Sequence, residues 1–140
     1  MTLDPATLSA GHQFPRHSFS VTGEEVRQYL EAVGDQWPGY AQLDAVAPPL
    51  FLIAKGLGML LAAIGLPPGS VHGSQECEFV HPVRPGTELV LEAGVTRAAT
   101  RQGQRFVTVE MAAREDDMLV CRGRALLIIP GDARRPDRSS

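Results

Sequence analysis

One stretch, Pro48 to Ile64, is apolar almost throughout and carries a single charge, Lys55. Two prolines open it, and Pro suits the first turn of a helix, where its missing N–H costs nothing. Gly65 and Pro67-Pro68 follow as a stop signal. The pattern predicts a helix of about four turns, apolar on nearly every side and therefore buried on nearly every side. It is too short and interrupted for a membrane span, which needs roughly 18 apolar residues. Gly56 and Gly58 each cost about 1 kcal/mol against Ala inside a helix, so a close neighbour is expected there. A sheet wrapped around this helix is the expected setting.

Elsewhere the period changes. His17, Phe19 and Val21 alternate with serines, which predicts a short first strand. Thr22-Gly23-Glu24-Glu25 is a capping box. Val26, Tyr29, Leu30 and Val33 then form one helical stripe, closed by Gly34. Gly34 to Tyr40 reads as a loop holding the only Trp, and an aromatic loop lines a pocket or an interface more often than it floats in water. After Pro67-Pro68-Gly69 the period is two. Val71 to His81 is the second predicted strand, with Gly73, Gln75, Cys77 and Phe79 on one face and His72, Ser74, Glu76 and Glu78 on the other. Thr87 to Val95, Arg105 to Arg114 and Met118 to Ile129 follow, separated by turn residues. The last is continuously apolar near its end and expected to be central. The predicted fold is α+β: strand, helix, loop, buried helix, then a four-strand antiparallel meander curled around that helix. Its outer strands stay exposed unless another subunit pairs with them.

Composition narrows the class. A chain of 140 residues suits one domain, expected over residues 1–131, with a polar, disordered tail at 132–140. The net charge of −3 argues against a nucleic-acid binder. Cys77 and Cys121 have no metal-ligand spacing and are expected as reduced core residues. No signal-peptide pattern is visible from Met1 to Gly11, so a cytoplasmic protein is expected.

Four pieces of sequence carry a resemblance. Gly34-Asp35-Gln36-Trp37-Pro38 resembles a Gly-Asp-x-Asn-Pro loop, and Ala47-Pro48-Pro49-Leu50-Phe51 an Ala-Pro-Pro-x-Phe helix start. Val71-His72-Gly73-Ser74-Gln75 resembles a Val-His-Gly-x-Gln strand, and the run from His81 to Thr87 an Arg-Pro-Val-x-x-Gly-Asp turn. In this order they are similar to the MaoC-like, fatty-acid-synthase-type dehydratase domain, and to the small subunits of (3R)-hydroxyacyl-ACP dehydratases. The resemblance implies a hot-dog fold, usually dimeric. It also implies chemistry without a cofactor or metal on (3R)-3-hydroxyacyl or trans-2-enoyl thioesters of ACP or CoA.

Related hydratases place an Asp and, five positions on, a His in the loop. Here Asp35 matches the acid, and the His position is Tyr40, a hydrogen-bond donor at neutral pH but a poor base. That pattern resembles the substrate-supporting subunits, so the partner is either a second copy or an Asp/His-bearing hot-dog chain. Removing an α-proton and protonating a departing hydroxyl needs groups that titrate near neutrality. The candidates are Asp35, Tyr40 and His72. Substrate contacts are expected from Trp37, Pro49, Leu50, Phe51 and Gln75, with the amides around Leu50 and Phe51 facing the thioester oxygen. Plainer readings stand beside these and are favoured residue by residue: Asp35 as the cap of a turn, His72 as a hydrogen-bonded structural residue, and Glu76 and Glu78 as a solvated strand face. A non-catalytic hot-dog module that binds an acyl chain or a partner, and a hot-dog thioesterase, are the alternatives to a dehydratase or hydratase.

Overall fold

The computed structural model describes residues 4–34 and 47–131. Five antiparallel strands form one sheet: β1 His17–Ser20, β2 Val71–Phe79, β3 Glu88–Arg101, β4 Gln104–Glu115 and β5 Met118–Pro130. Their spatial order is β1-β3-β4-β5-β2. Two helices, α1 Gly23–Val33 and α2 Pro49–Ala62, join β1 to β2. The meander thus comprises β3, β4 and β5 only. β2 crosses to the far side of β5, so β5 is an interior strand, as expected, and β4 is the middle one. β3, β4 and β5 carry the alternation that makes the core. Leu89, Leu91, Ala93 and Val95 of β3, Val107, Val109, Met111 and Ala113 of β4, and Cys121, Ala125, Leu127 and Ile129 of β5 are all buried.

α1 starts as its sequence dictates. The Glu25 amide donates to the Thr22 hydroxyl at 3.0 Å and the Thr22 amide to the Glu25 carboxylate at 2.9 Å. Gly34, at φ +74°, ends the helix. On α2, Leu52, Ile53, Leu57 and Leu60 are buried against the sheet. Ala54, Gly58 and Ala62 on the opposite side are exposed. The expectation of burial all round is therefore corrected: one chain covers one side of this helix. The two glycines divide the same way. A Cβ on Gly56 would stand 3.3 Å from Leu91 Cδ1, whereas one on Gly58 would meet nothing within 4 Å. α2 stops at Ala63, which remains right-handed helical in its backbone, because Ile64 turns into the core. Gly65 is not the cap.

β2 differs from its prediction in two respects. Its register against β5 slips between His72 and Ser74. His72 stands opposite the core residue Leu127, while Ser74 stands opposite Leu126. Residues opposite each other in an antiparallel pair share a face, so the extra residue, Gly73, moves His72 onto the helix side with Gln75, Cys77 and Phe79. A bulge re-aims side chains in this way. The sequence alternation had put His72 with the glutamates. Gly73 suits the bulge because a Cβ there would come within 3.1 Å of Ile128 Cδ1. Second, β2 is exposed along nearly its whole length. Cys77 is exposed with it, not in the core; Cys121 is buried, and both are free thiols.

Candidate functional site

The N-terminus of α2 is built from two prolines. Pro48 is the N-cap and Pro49 begins the helix. The Pro48 carbonyl accepts from the Phe51 amide at 3.0 Å and from the Leu52 amide at 3.4 Å. The Phe51 N–H is therefore engaged within the first turn of the helix. Leu50 retains the first-turn N–H that the helix itself cannot satisfy. The Phe51 ring stacks on Tyr29 of α1, with centroids 4.8 Å apart and planes 15° from parallel, so that ring anchors α1.

Beside this helix end lies a cavity of about 230 Å³. Ala47, Val83 and Cys121 form its buried floor, and Phe79 and Val80 its exposed rim, with His81 beside them. The Ala47 amide donates to the Val83 carbonyl at 2.5 Å, and the amides of Val80 and His81 both donate to the Val120 carbonyl. These bonds tie the approach to α2 and the exit of β2 together. Burial, with the Cys77 sulfur nearby, pushes the Cys121 thiol up to about 11. It is an apolar wall, not a nucleophile.

Lys55, the one charge of the long helix, joins three elements. Its Nζ donates to the Ser20 carbonyl at 2.7 Å and to the Glu25 carboxylate at 2.6 Å. The Lys55 ammonium, with the Thr22 amide second, holds the Glu25 carboxyl below the usual carboxylate value. α1 is thereby pinned at its first turn, next to the end of β1; residues 35–46 follow its other end. Asp35, Trp37 and Tyr40 lie in that segment, outside the described residues.

His72 and Gln75 stand on the helix-side face of β2, opposite Leu127 and Ala125. His72 is exposed, and its imidazole has no hydrogen-bond partner among the described residues. The hydrogen-bonded structural histidine is thus not found within the described part of the chain. Gln75 is half-buried and its amide reaches only the Cys77 sulfur, at 3.6 Å. On the other face of the sheet a wider hollow of about 630 Å³ lies among charges. Glu78 pairs with Arg122 at 2.5 Å, Arg124 bridges Glu76 and Glu110 at 3.7 and 3.5 Å, and Glu92 bridges Arg16 and Arg114 at 2.8 and 3.0 Å. These pairs neutralise one another and form a solvated ladder, not a catalytic set. Among the described residues no group of three or more His, Cys, Asp or Glu side chains could hold a metal ion.

Residues 9–123 match the family model described as FAS1-like, dehydratase domain region. The chain belongs to this family. Among curated relatives, a UPF0336 protein of Clavibacter michiganensis is 34% identical over 109 residues, covering 67% of this chain and 73% of that one. A UPF0336 protein of Streptomyces griseus is 29% identical over 124 residues, covering 78% and 82%. Among solved structures, the HadBC (3R-hydroxyacyl-ACP dehydratase) complex of Mycobacterium tuberculosis superposes with a TM-score of 0.66. It shares 25% identity and covers 84% of this chain and 93% of that one. A MaoC-like dehydratase of Rhodospirillum rubrum gives a TM-score of 0.75 at 19% identity, covering 95% and 98%. The fold of this FAS1-like dehydratase-region chain is the hot-dog fold.

The cavity was not foreseen as a unit. Ala47 marked the helix start and Phe79 the inner face of β2, but Leu52, Val80, Val83 and Cys121 read as ordinary core or turn positions. Only the pairing of β2 with β5 brings them together.

Proposed function

We propose that this chain is a dehydratase or hydratase, or a subunit of one. Its substrates are the (3R)-3-hydroxyacyl and trans-2-enoyl thioesters of ACP or CoA, in fatty-acid or polyketide-type biosynthesis in the cytoplasm. The observation that carries this reading is the family match, which spans both helices and all but the end of the sheet. The cavity beside the α2 N-terminus is consistent with it: apolar walls suit a short acyl chain, and the Leu50 amide suits the charge that gathers on a thioester oxygen. In the dehydration, the α-carbon loses a proton to a base. The electron pair of that bond forms the double bond, the C–O bond at the β-carbon breaks, and the departing hydroxyl takes the proton now held on that base and leaves as water, which returns the base to its starting state. Asp35 is the proposed base in this direction, with Tyr40 as a hydrogen-bond donor beside it, Trp37 against the acyl group and Gln75 on the carrier side.

The test is hydration of trans-2-butenoyl-CoA by the purified chain, followed as loss of enoyl absorbance. Turnover that falls at least 100-fold in Asp35→Asn supports the reading. A folded chain inactive on CoA and ACP thioesters of several lengths overturns self-sufficient catalysis. Tyr40 at the His position favours a second reading, a non-catalytic subunit that works with an Asp/His-bearing chain. HadBC is itself a complex. Activity that appears only when such a chain is added would select that reading.

A further inference from the structure

We propose that the outer face of the sheet, the face turned away from α2, docks an acidic amphipathic helix of a partner protein at its Arg97–Arg101 end. This surface lies away from the cavity and stands independently of the dehydratase reading.

The first observation is where apolar side chains go. Residues opposite each other in an antiparallel pair share a face. Val107 and Val109 point to the core with Leu127 and Ala125. Phe106 with its partner Ile128, and Leu126, therefore lie on the outer face, and Val71 joins them opposite Ile128. The first three are half-buried and Val71 is exposed. A sheet with one solvated face ordinarily turns polar residues to the water. Here three neighbouring strands turn apolar ones. Gly73 keeps the strip open: a Cβ there would stand 3.1 Å from Ile128 Cδ1 and 3.5 Å from Leu126 Cδ2, so a larger residue would lie over both.

The second observation is charge. The chain carries a net −3, yet residues 96–109 hold Arg97, Arg101 and Arg105 and no acid. Arg105 is turned to the other face, where it donates to the Leu8 carbonyl and the Thr100 hydroxyl. Arg97 and Arg101 are exposed beside the apolar strip. Arg97 has no hydrogen-bond or ion-pair partner among the described residues, and Arg101 meets only the Phe106 ring, 5.6 Å from its centroid. Farther along the same face the pattern reverses, and Arg16, Arg114, Arg122 and Arg124 each pair with a glutamate. Two uncompensated arginines in an acidic chain invite an anionic partner.

The third observation is size. With strands about 4.8 Å apart, the strip from Phe106 on β4 to Val71 on β2 is about 10 Å wide, the width of one α-helix. Arg97 and Arg101 stand about 13 Å apart along β3, and two helical turns span about 11 Å. A helix lying along β5 thus sets its apolar stripe on Phe106, Leu126 and Ile128, while acidic residues two turns apart reach both arginines. A flat anionic membrane fits less well, because it would also meet Glu76, Glu78, Glu92 and Glu110 of the same face. A second copy of the chain stacked on this face would set arginines on arginines or, reversed, lay the aliphatic strip on the charged ladder.

The probe is a fluorescein-labelled synthetic helix of about five turns, with leucine along one stripe and glutamate beside it. Anisotropy at low salt should show saturable binding to the purified chain, weakening as salt is added. In the Arg97→Glu/Arg101→Glu double variant the affinity should fall about tenfold, with the melting temperature unchanged. Leu126→Ser should also weaken binding while leaving its salt dependence as in the native chain. Equal affinity for a helix with lysine in place of glutamate, or an unchanged affinity in the double variant, overturns the proposal. So does binding to vesicles of phosphatidylcholine and phosphatidylserine without binding to the helix, or self-association of the chain that the double variant abolishes. A nitroxide on the leucine stripe locates the contact. It should broaden the methyl resonances of Leu126 and Ile128 and spare those of Leu91 and Leu127 behind the sheet. Broadening of Val80 and Val83 at the cavity instead would overturn the assignment.

Discussion

β2 and the β3-β4-β5 meander have similar alternation in sequence but opposite fates in the structure. Leu89, Val107 and Leu127 are sealed between the sheet and α2. Gln75, Cys77 and Phe79 sit on the same side of the sheet, yet β2 remains exposed on both faces. Alternation tells which side chains share a face; whether anything lies over that face depends on where the helix reaches. α2 crosses β4 and β5 and leaves β2 bare. The bare strand is also the one that borders the cavity and carries the bulge.

The largest effect should come from breaking the covered half. Leu127→Ala removes a fully buried side chain and is expected to cost about 2–5 kcal/mol in urea unfolding. Gly56 and Gly58 repeat the contrast on α2. Gly56→Val must push against Leu91 and should cost about 1–3 kcal/mol. Gly58→Ala meets no neighbour in the single chain. It should stabilise the fold by about 0.5–1 kcal/mol, read in the same urea unfolding.

Thr22→Ala removes the cap that starts α1 and should cost about 1 kcal/mol. The Glu25–Lys55 pair adds a pH dependence. Glu25 is held below its ordinary value in the folded chain, so its contribution is complete above about pH 5 and is lost as pH falls through the folded value. Melting temperature followed from pH 6 downward should fall less steeply in Glu25→Gln than in the native chain. The smallest effect is on reactivity alone. Cys77 should react with a thiol reagent before Cys121, whose thiol is buried and raised to about 11. The reverse order would place Cys77 under cover.

Much of this was legible in the residues. The Thr22 box, the Gly34 stop, the proline start of α2 and the inward residues of β3 and β4 all follow from local rules, and each appears at its place. What local rules could not give was the crossing that sets β2 beside β5, because strand order depends on contacts between distant residues. The bulge was hidden for a related reason. Gly73 fits an unbroken alternation, and only the register against Leu126 and Leu127 shows that it is one residue too many. The face assigned to His72 failed with it, and the cavity was missed because its walls come from four separate stretches.

The far edge of the sheet is made differently. β1 has four residues, Pro15 precedes it, and the segment before that is already spent on β3, where the Gly11 and Phe14 amides donate to the Val95 and Ala93 carbonyls. An edge so brief and so interrupted gives an incoming strand little to align with. Among the described strands, β2 is therefore the one long rim open to an incoming strand. Once two such rims meet about a two-fold axis, none is left, and the assembly closes at a pair instead of growing into a filament.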